Sequence, residues 1–129
     1  MRIEAAISVG ELVDKVTILE IKADRIADAR KAANVRHELA DLHRLLQPLI
    51  AADPGLAPLK SDLRAVNETL WRIEDDIRDC DRKGDFGPGF VELARSVYRA
   101  NDRRAAIKRA INERAKSEIV EEKSYTAYD

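Results

Sequence analysis

The stretch LKSDLRAVNETLWRIEDDIRDC, from Leu59 to Cys80, places Leu59, Leu63, Val66, Leu70, Ile73, Ile77 and Cys80 at alternating steps of four and three. That spacing puts one apolar stripe along a helix, the kind that packs on another helix. Gly84 follows where a glycine ends a helix. Breakers cluster on either side: Pro48, Pro54, Gly55 and Pro58 before the stretch, and Gly84, Gly87, Pro88 and Gly89 after it. Glycine and proline are costly inside helices, so the long segments between the clusters read as helices.

Downstream, Pro88 suits a first helical position, and Phe90, Leu93, Val97, Ala100, Ile107 and Ile111 continue an apolar face. Upstream, Ser8-Val9-Gly10-Glu11 has the form of a capping box, with Ser8 as N-cap and Glu11 reaching back. Ile7 and Leu12 occupy the positions of a hydrophobic staple. Val9, Leu12, Val16, Leu19, Ala23 and Ile26 then form one face. Beyond Ile26 the phase breaks, and Val35, Leu39, Leu42, Leu46 and Leu49 start a new series. A turn near 28–34 is expected, with Asp28 as N-cap. The expected helices are therefore about 9–27, 30–47, 57–83 and 88–116, with a polar tail over 117–129, in a single helical domain over 1–129. Short connections make successive helices antiparallel neighbours. The fold class is all-α: an antiparallel four-helix bundle or paired long helical hairpins.

Composition agrees with that class. A chain of 129 residues suits one domain with one sizeable core. Hydrophobic residues at 45% argue against disorder, and charged residues at 36% suit long solvated helices. With 23 basic and 24 acidic residues, no global field favours nucleic acid or an anionic membrane. The single cysteine, Cys80, allows no internal disulfide and no cysteine-based zinc site. There is no apolar run long enough to span a bilayer, and Met1-Arg2-Ile3-Glu4 offers no signal core, so a cytoplasmic location is expected.

The informative residues are polar ones on apolar arcs. Helical projection puts Asn101, Arg104 and Lys108 on the apolar arc of the last helix. Asn67 and Glu74 fall at the edge of the arc of the third helix, with Trp71 just beyond. Glu20 projects between Val13 and Val16 in the first. A turn centred near residue 86 pairs antiparallel positions whose numbers sum to about 172. Asn67, Glu68, Trp71, Glu74, Asn101, Arg104 and Lys108 are thereby expected in one zone, with Arg104 paired to Glu68 or Glu74. Two readings follow. Buried charges must be paired, so the zone can be a structural network that fixes helix register. It can also be a pocket in which Arg104 and Lys108 bind an anion and a glutamate acts as acid or base.

Other features carry less chemistry. Glu74-Asp75-Asp76 with Asp79 and Asp81 could attract Mg²⁺, but consecutive carboxylates on a helix point apart, so a solvated face is the better reading and no metal site is assigned. Glu11/Asp14 and Glu38/Asp41 each put two carboxylates on one helix face, without the upstream partner motif of all-α pyrophosphohydrolases. His37 and His43 lack the spacing of a di-iron bundle. Arg95, Arg99 and Arg103 form a stripe, and residues 95–116 carry eight basic groups against Asp102 and Glu113. Pairing in cis, with the acidic end of the third helix, is preferred there to nucleic-acid binding, because no aromatics interleave to stack bases. Ile18 and Ile21 lie opposite the main apolar face of the first helix. They are expected either to lie under the tail residues Ile119, Val120 and Tyr125 or to form a homodimer interface.

Several segments together resemble a bacterial family of small uncharacterised helical proteins, a domain of unknown function. They are Ser8 to Lys15 with Thr17-Ile18-Leu19, Asn67 to Asp75, Leu93 to Tyr98, Asn101 to Lys108 and Val120 to Tyr125. The resemblance spans nearly the whole chain. It implies a cytoplasmic bacterial protein whose tail is part of the domain, and it implies no activity, substrate or cofactor. The leading expectation is a self-associating or partner-binding helical module with a buried polar network. The alternative is a binder or enzyme for an anionic metabolite or nucleotide, using Arg104, Lys108 and Glu74. A homodimer or another protein is the expected partner.

Overall fold

A computed structural model describes residues 1–128. It contains α1 (Val9–Arg25), α2 (Ala29–Ala52), α3 (Leu56–Lys83) and α4 (Pro88–Ala115), and no strand among the described residues. The helices pack against one another as an all-α bundle built from two hairpins. The α1/α2 hairpin lies on the α3/α4 hairpin through α1, while α2 barely touches α3. This makes α1 the central helix. It buries Leu12, Val13, Val16, Leu19 and Ile21 together with the polar Asp14 and Thr17. The core gathers Leu12, Val13 and Val16 with Leu46 of α2, Leu56 and Leu63 of α3, and Ile111 of α4. Full burial of each such aliphatic side chain contributes about 1.5–3 kcal/mol.

Local chemistry sets the helix ends. The Ser8 hydroxyl accepts from the Glu11 amide at 3.0 Å, half of the expected capping box. The other half is replaced: the Glu11 carboxylate turns to Lys108 and Lys15. Asp28 caps α2 by accepting from the Lys31 amide at 2.9 Å. Gly84 ends α3 in the left-handed region, at φ 68°. Pro88 opens α4.

Two boundaries correct the sequence reading. The turn between α1 and α2 spans only residues 26–28, because Ile26 is already extended and Asp28 caps at once. Pro48 does not end α2, which runs on to Ala52. Packing outweighs the lost hydrogen bond, since Leu46 is buried just before Pro48 and Ile50 packs on the core just after it. Pro48→Ala is accordingly expected to stabilise the protein by about 1–3 kcal/mol, read from the urea midpoint. Pro58 sits in the first turn of α3, where a missing amide hydrogen is harmless. Residues 117–128 hold no helix or strand, bend at 118–119 and run back along α4, and Asp129 lies outside the described residues.

Candidate functional site

The polar centre of the protein is Asp14, only 1% exposed in the middle of α1. Helix geometry turns Asp14 toward α3 and α4. Arg104 of α4 donates from Nε to Asp14 Oδ1 at 2.9 Å and from Nη2 to Oδ2 at 2.5 Å. This is the two-pronged guanidinium–carboxylate pairing. Asn67 of α3 donates from Nδ2 to Asp14 Oδ1 at 2.9 Å and to Thr17 Oγ1 at 3.0 Å. The Thr17 hydroxyl donates in turn to the Asp14 carbonyl at 2.8 Å. Three helices thus meet on one carboxylate. Hydrogen bonding to Asp14 raises Arg104 above the ordinary arginine range, against partial burial.

A second set lies one turn toward the start of α1. Lys108 donates to Glu11 at 2.7 Å and to Glu121 at 3.0 Å, and lies 4.0 Å from Asp14. Burial pushes the Lys108 ammonium down, but these carboxylates outweigh it and hold it above the ordinary lysine range. The Ser8 hydroxyl donates to the other Glu121 oxygen at 2.6 Å. The Gly10 amide donates to Asn112 Oδ1 at 2.6 Å, and the Val9 amide to Ser117 Oγ at 3.1 Å. The free amides of the α1 N-terminus are therefore satisfied by α4 and the tail. Farther along, Arg109 pairs with Glu122 and Lys123 with Asp102, and the Tyr128 ring packs on Tyr98 at 4.8 Å.

Partial burial pushes the Glu121 carboxyl up, but its bonds from Ser8 and Lys108 prevail and hold it below the ordinary glutamate range. A depressed folded value means that its contribution is full at neutral pH and is lost as pH falls through that value. Acidification is therefore expected to loosen the tail from Ser8. The check is a pH titration followed by NMR at the Ser8 amide, whose step should vanish in Glu121→Gln.

The zone read from the sequence is brought together in part. Asn67, Trp71, Glu74, Asn101 and Arg104, with Ile18, Ile21 and Leu70, line an open groove of about 250 Å³ between α1, α3 and α4. Lys108 stands one turn from Arg104 and shares Asp14 with it. The expected partners of Arg104 are corrected: Glu68 pairs with Arg64 and Glu74 with Arg78, each within α3. Asp14 takes Arg104 because α1 packs on both α3 and α4, and pairing α3 with α4 alone omits it. Glu20 is also elsewhere, held by Lys60 at 3.1 Å with His43 and Arg64 close by. Trp71 carries the Arg25 guanidinium 5.8 Å from its ring centre. Ile21 is 1% exposed inside this chain, so it offers no outer contact surface, whereas Ile18 is half-buried at the groove. The tail residues Ile119, Val120 and Tyr125 stay exposed.

Asp14, Glu11, Asn112 and Glu121 were not among the expected site residues. The signal for the first two was present in the sequence: Glu11 and Asp14 share one helix face with Val13 and Val16 near it. The basic stripe is offset only in part, and by its own helix: Arg95 and Arg99 share Glu92, and Arg103 stays exposed. Arg109 pairs with Glu122, and among the described residues no partner comes from the end of α3. Among the described residues no group of three or more His, Cys, Asp and Glu side chains could hold a metal ion. No helix is long and apolar enough to cross a membrane.

These features define an all-α protein of two packed hairpins, stapled at a buried carboxylate and strapped by its own C-terminal segment. Residues 1–128 match a family of unknown function (DUF6165), and the chain belongs to that family. No curated protein and no solved structure matches it.

Proposed function

We propose that the chain is a protein-interaction module, bacterial and cytoplasmic, in which the Asp14 network is scaffold and not a reaction centre. The bacterial and cytoplasmic setting rests on the resemblance of its motifs. One observation carries the interaction reading. From Glu74 to Arg99, across the end of α3, the turn and the start of α4, no residue is buried. Yet this arm has an apolar seam of Ile77, Cys80, Phe90, Leu93 and Val97, all only half-buried, and it exposes Phe86 and Val91 by 57% and 51%. A two-helix hairpin covers its seam from one side alone, and a partner completes the core.

The small-molecule alternative has less support. The bases it needs are neutralised within the chain, Arg104 by Asp14 and Lys108 by Glu11 and Glu121, and Glu74 is taken by Arg78. An open groove beside Arg104 is its remaining support. A photo-crosslinking residue at Val91 tests the interaction reading in cells. Adducts at Val91, with none from the same probe at Lys31 on α2, are expected. Absence of any adduct from Val91 or Phe86 sinks it. A thermal-shift panel of anionic metabolites is expected to leave the melting temperature unmoved.

A further inference from the structure

We infer that the arm is the interface of a homodimer, in which two arms pack face to face about a two-fold axis parallel to their helices, with the turns at the same end and α3 of each copy on α4 of the other. This rests on the interaction reading above and deepens it by naming the partner as a second copy of this chain.

Charge chooses the partner. The α3 side of the arm with its turn, residues 74–85, carries six acids (Glu74, Asp75, Asp76, Asp79, Asp81, Asp85) against Arg78, Arg82 and Lys83, a net of −3. The α4 side, residues 88–99, carries Arg95 and Arg99 against Glu92, a net of +1. The two sides do not neutralise each other within one chain. Among the described residues, the arm's ion pairs are all inside one helix: Arg78–Glu74, Arg82–Asp79, Arg95–Glu92 and Arg99–Glu92. Asp75 and Asp76 stay exposed. A surface that is acidic on one half and basic on the other is complementary to itself after a two-fold rotation. The rotation also sets the exposed Phe86 and Val91 of each copy against apolar surface of the other.

Size sets the strength. The arm runs about 15 Å along α3 and about 18 Å along α4 at 1.5 Å per residue. Two helix faces of that length give a contact near the lower bound of roughly 1,000 Å² for specific interfaces. The dimer is therefore expected to dissociate in the micromolar range, on the order of 1–100 μM.

Sedimentation equilibrium of the full chain tests this, with two charge-reversed variants at exposed sites. Asp75→Lys/Asp76→Lys makes both halves basic, and Arg95→Glu/Arg99→Glu makes both acidic. Wild type is expected to move from monomer to dimer as concentration rises. Each variant alone is expected to stay monomeric with an unchanged circular-dichroism spectrum, and a 1:1 mixture of the two to dimerise again. Recovery in the mixture requires a second copy as the occupant and α3-to-α4 pairing as the geometry. Wild type that stays monomeric at hundreds of micromolar overturns the inference, as does a dimer that both variants leave intact. The interaction reading fails separately. Val91 adducts to a different protein from a monomeric wild type sink the homodimer alone, and absence of adducts sinks both.

Discussion

Arg104→Leu is expected to destabilise the protein by about 3–5 kcal/mol, because it strands Asp14 as a buried carboxylate without its counter-charge. Asp14 is 1% exposed, and Arg104 supplies both of its charged hydrogen bonds. Asn67 and the more distant Lys108 remain, which is why the fold should survive at all. The double variant Asp14→Leu/Arg104→Leu is expected within about 1 kcal/mol of wild type, since hydrophobic residues of similar volume often replace a buried ion pair without loss. Urea midpoints at constant slope give both values. A single variant as mild as the double would mean that Asp14 reaches water once Arg104 is gone, and the staple would lose its standing as scaffold.

Gly10→Ala is expected to cost about 1–3 kcal/mol through overpacking. A Cβ there would lie 2.7 Å from the Lys108 carbonyl oxygen and 2.9 Å from Asn112 Oδ1. The first of these is backbone and cannot swing aside. The substitution would push α1 off α4 and stretch the Gly10-to-Asn112 hydrogen bond. Gly89→Ala is the matched control. Gly89 is also the second residue of its helix, and a Cβ there meets nothing within 4 Å. That variant is expected to be neutral or to stabilise by about 0.5 kcal/mol. Thermal denaturation of the pair should therefore give opposite signs for the same chemical change. Equal shifts would show that α1 is free to slide on α4.

The helices were legible because their signals are local. The four-and-three spacing of Leu59 to Cys80, the Ser8 and Asp28 caps, Gly84 and Pro88 all act within a turn or two, and the corresponding helix ends appear. Pro48 misled because its penalty is local and its remedy is not: Ile50 packs on a core that the α2 sequence does not contain. The site was legible in part of its membership and not in its pairing. Polar residues on apolar arcs identified Asn67, Asn101, Arg104 and Lys108, since a helix cannot bury them without a partner. Which carboxylate answers Arg104 depends on what lies across from α4.

The sequence by itself determined the all-α class, the four helices and their caps, and that polar residues sit on the apolar arcs of α3 and α4. Periodicity and capping are properties of consecutive residues. Only the tertiary structure decided that α1 sits at the centre, that Asp14 rather than Glu68 or Glu74 receives Arg104, that Ile21 is core, and that the tail returns along α4 to Ser8. Those outcomes depend on how one hairpin packs on the other. That packing joins residues far apart in the chain, such as Asp14 and Arg104, 90 positions apart, and no local pattern carries it.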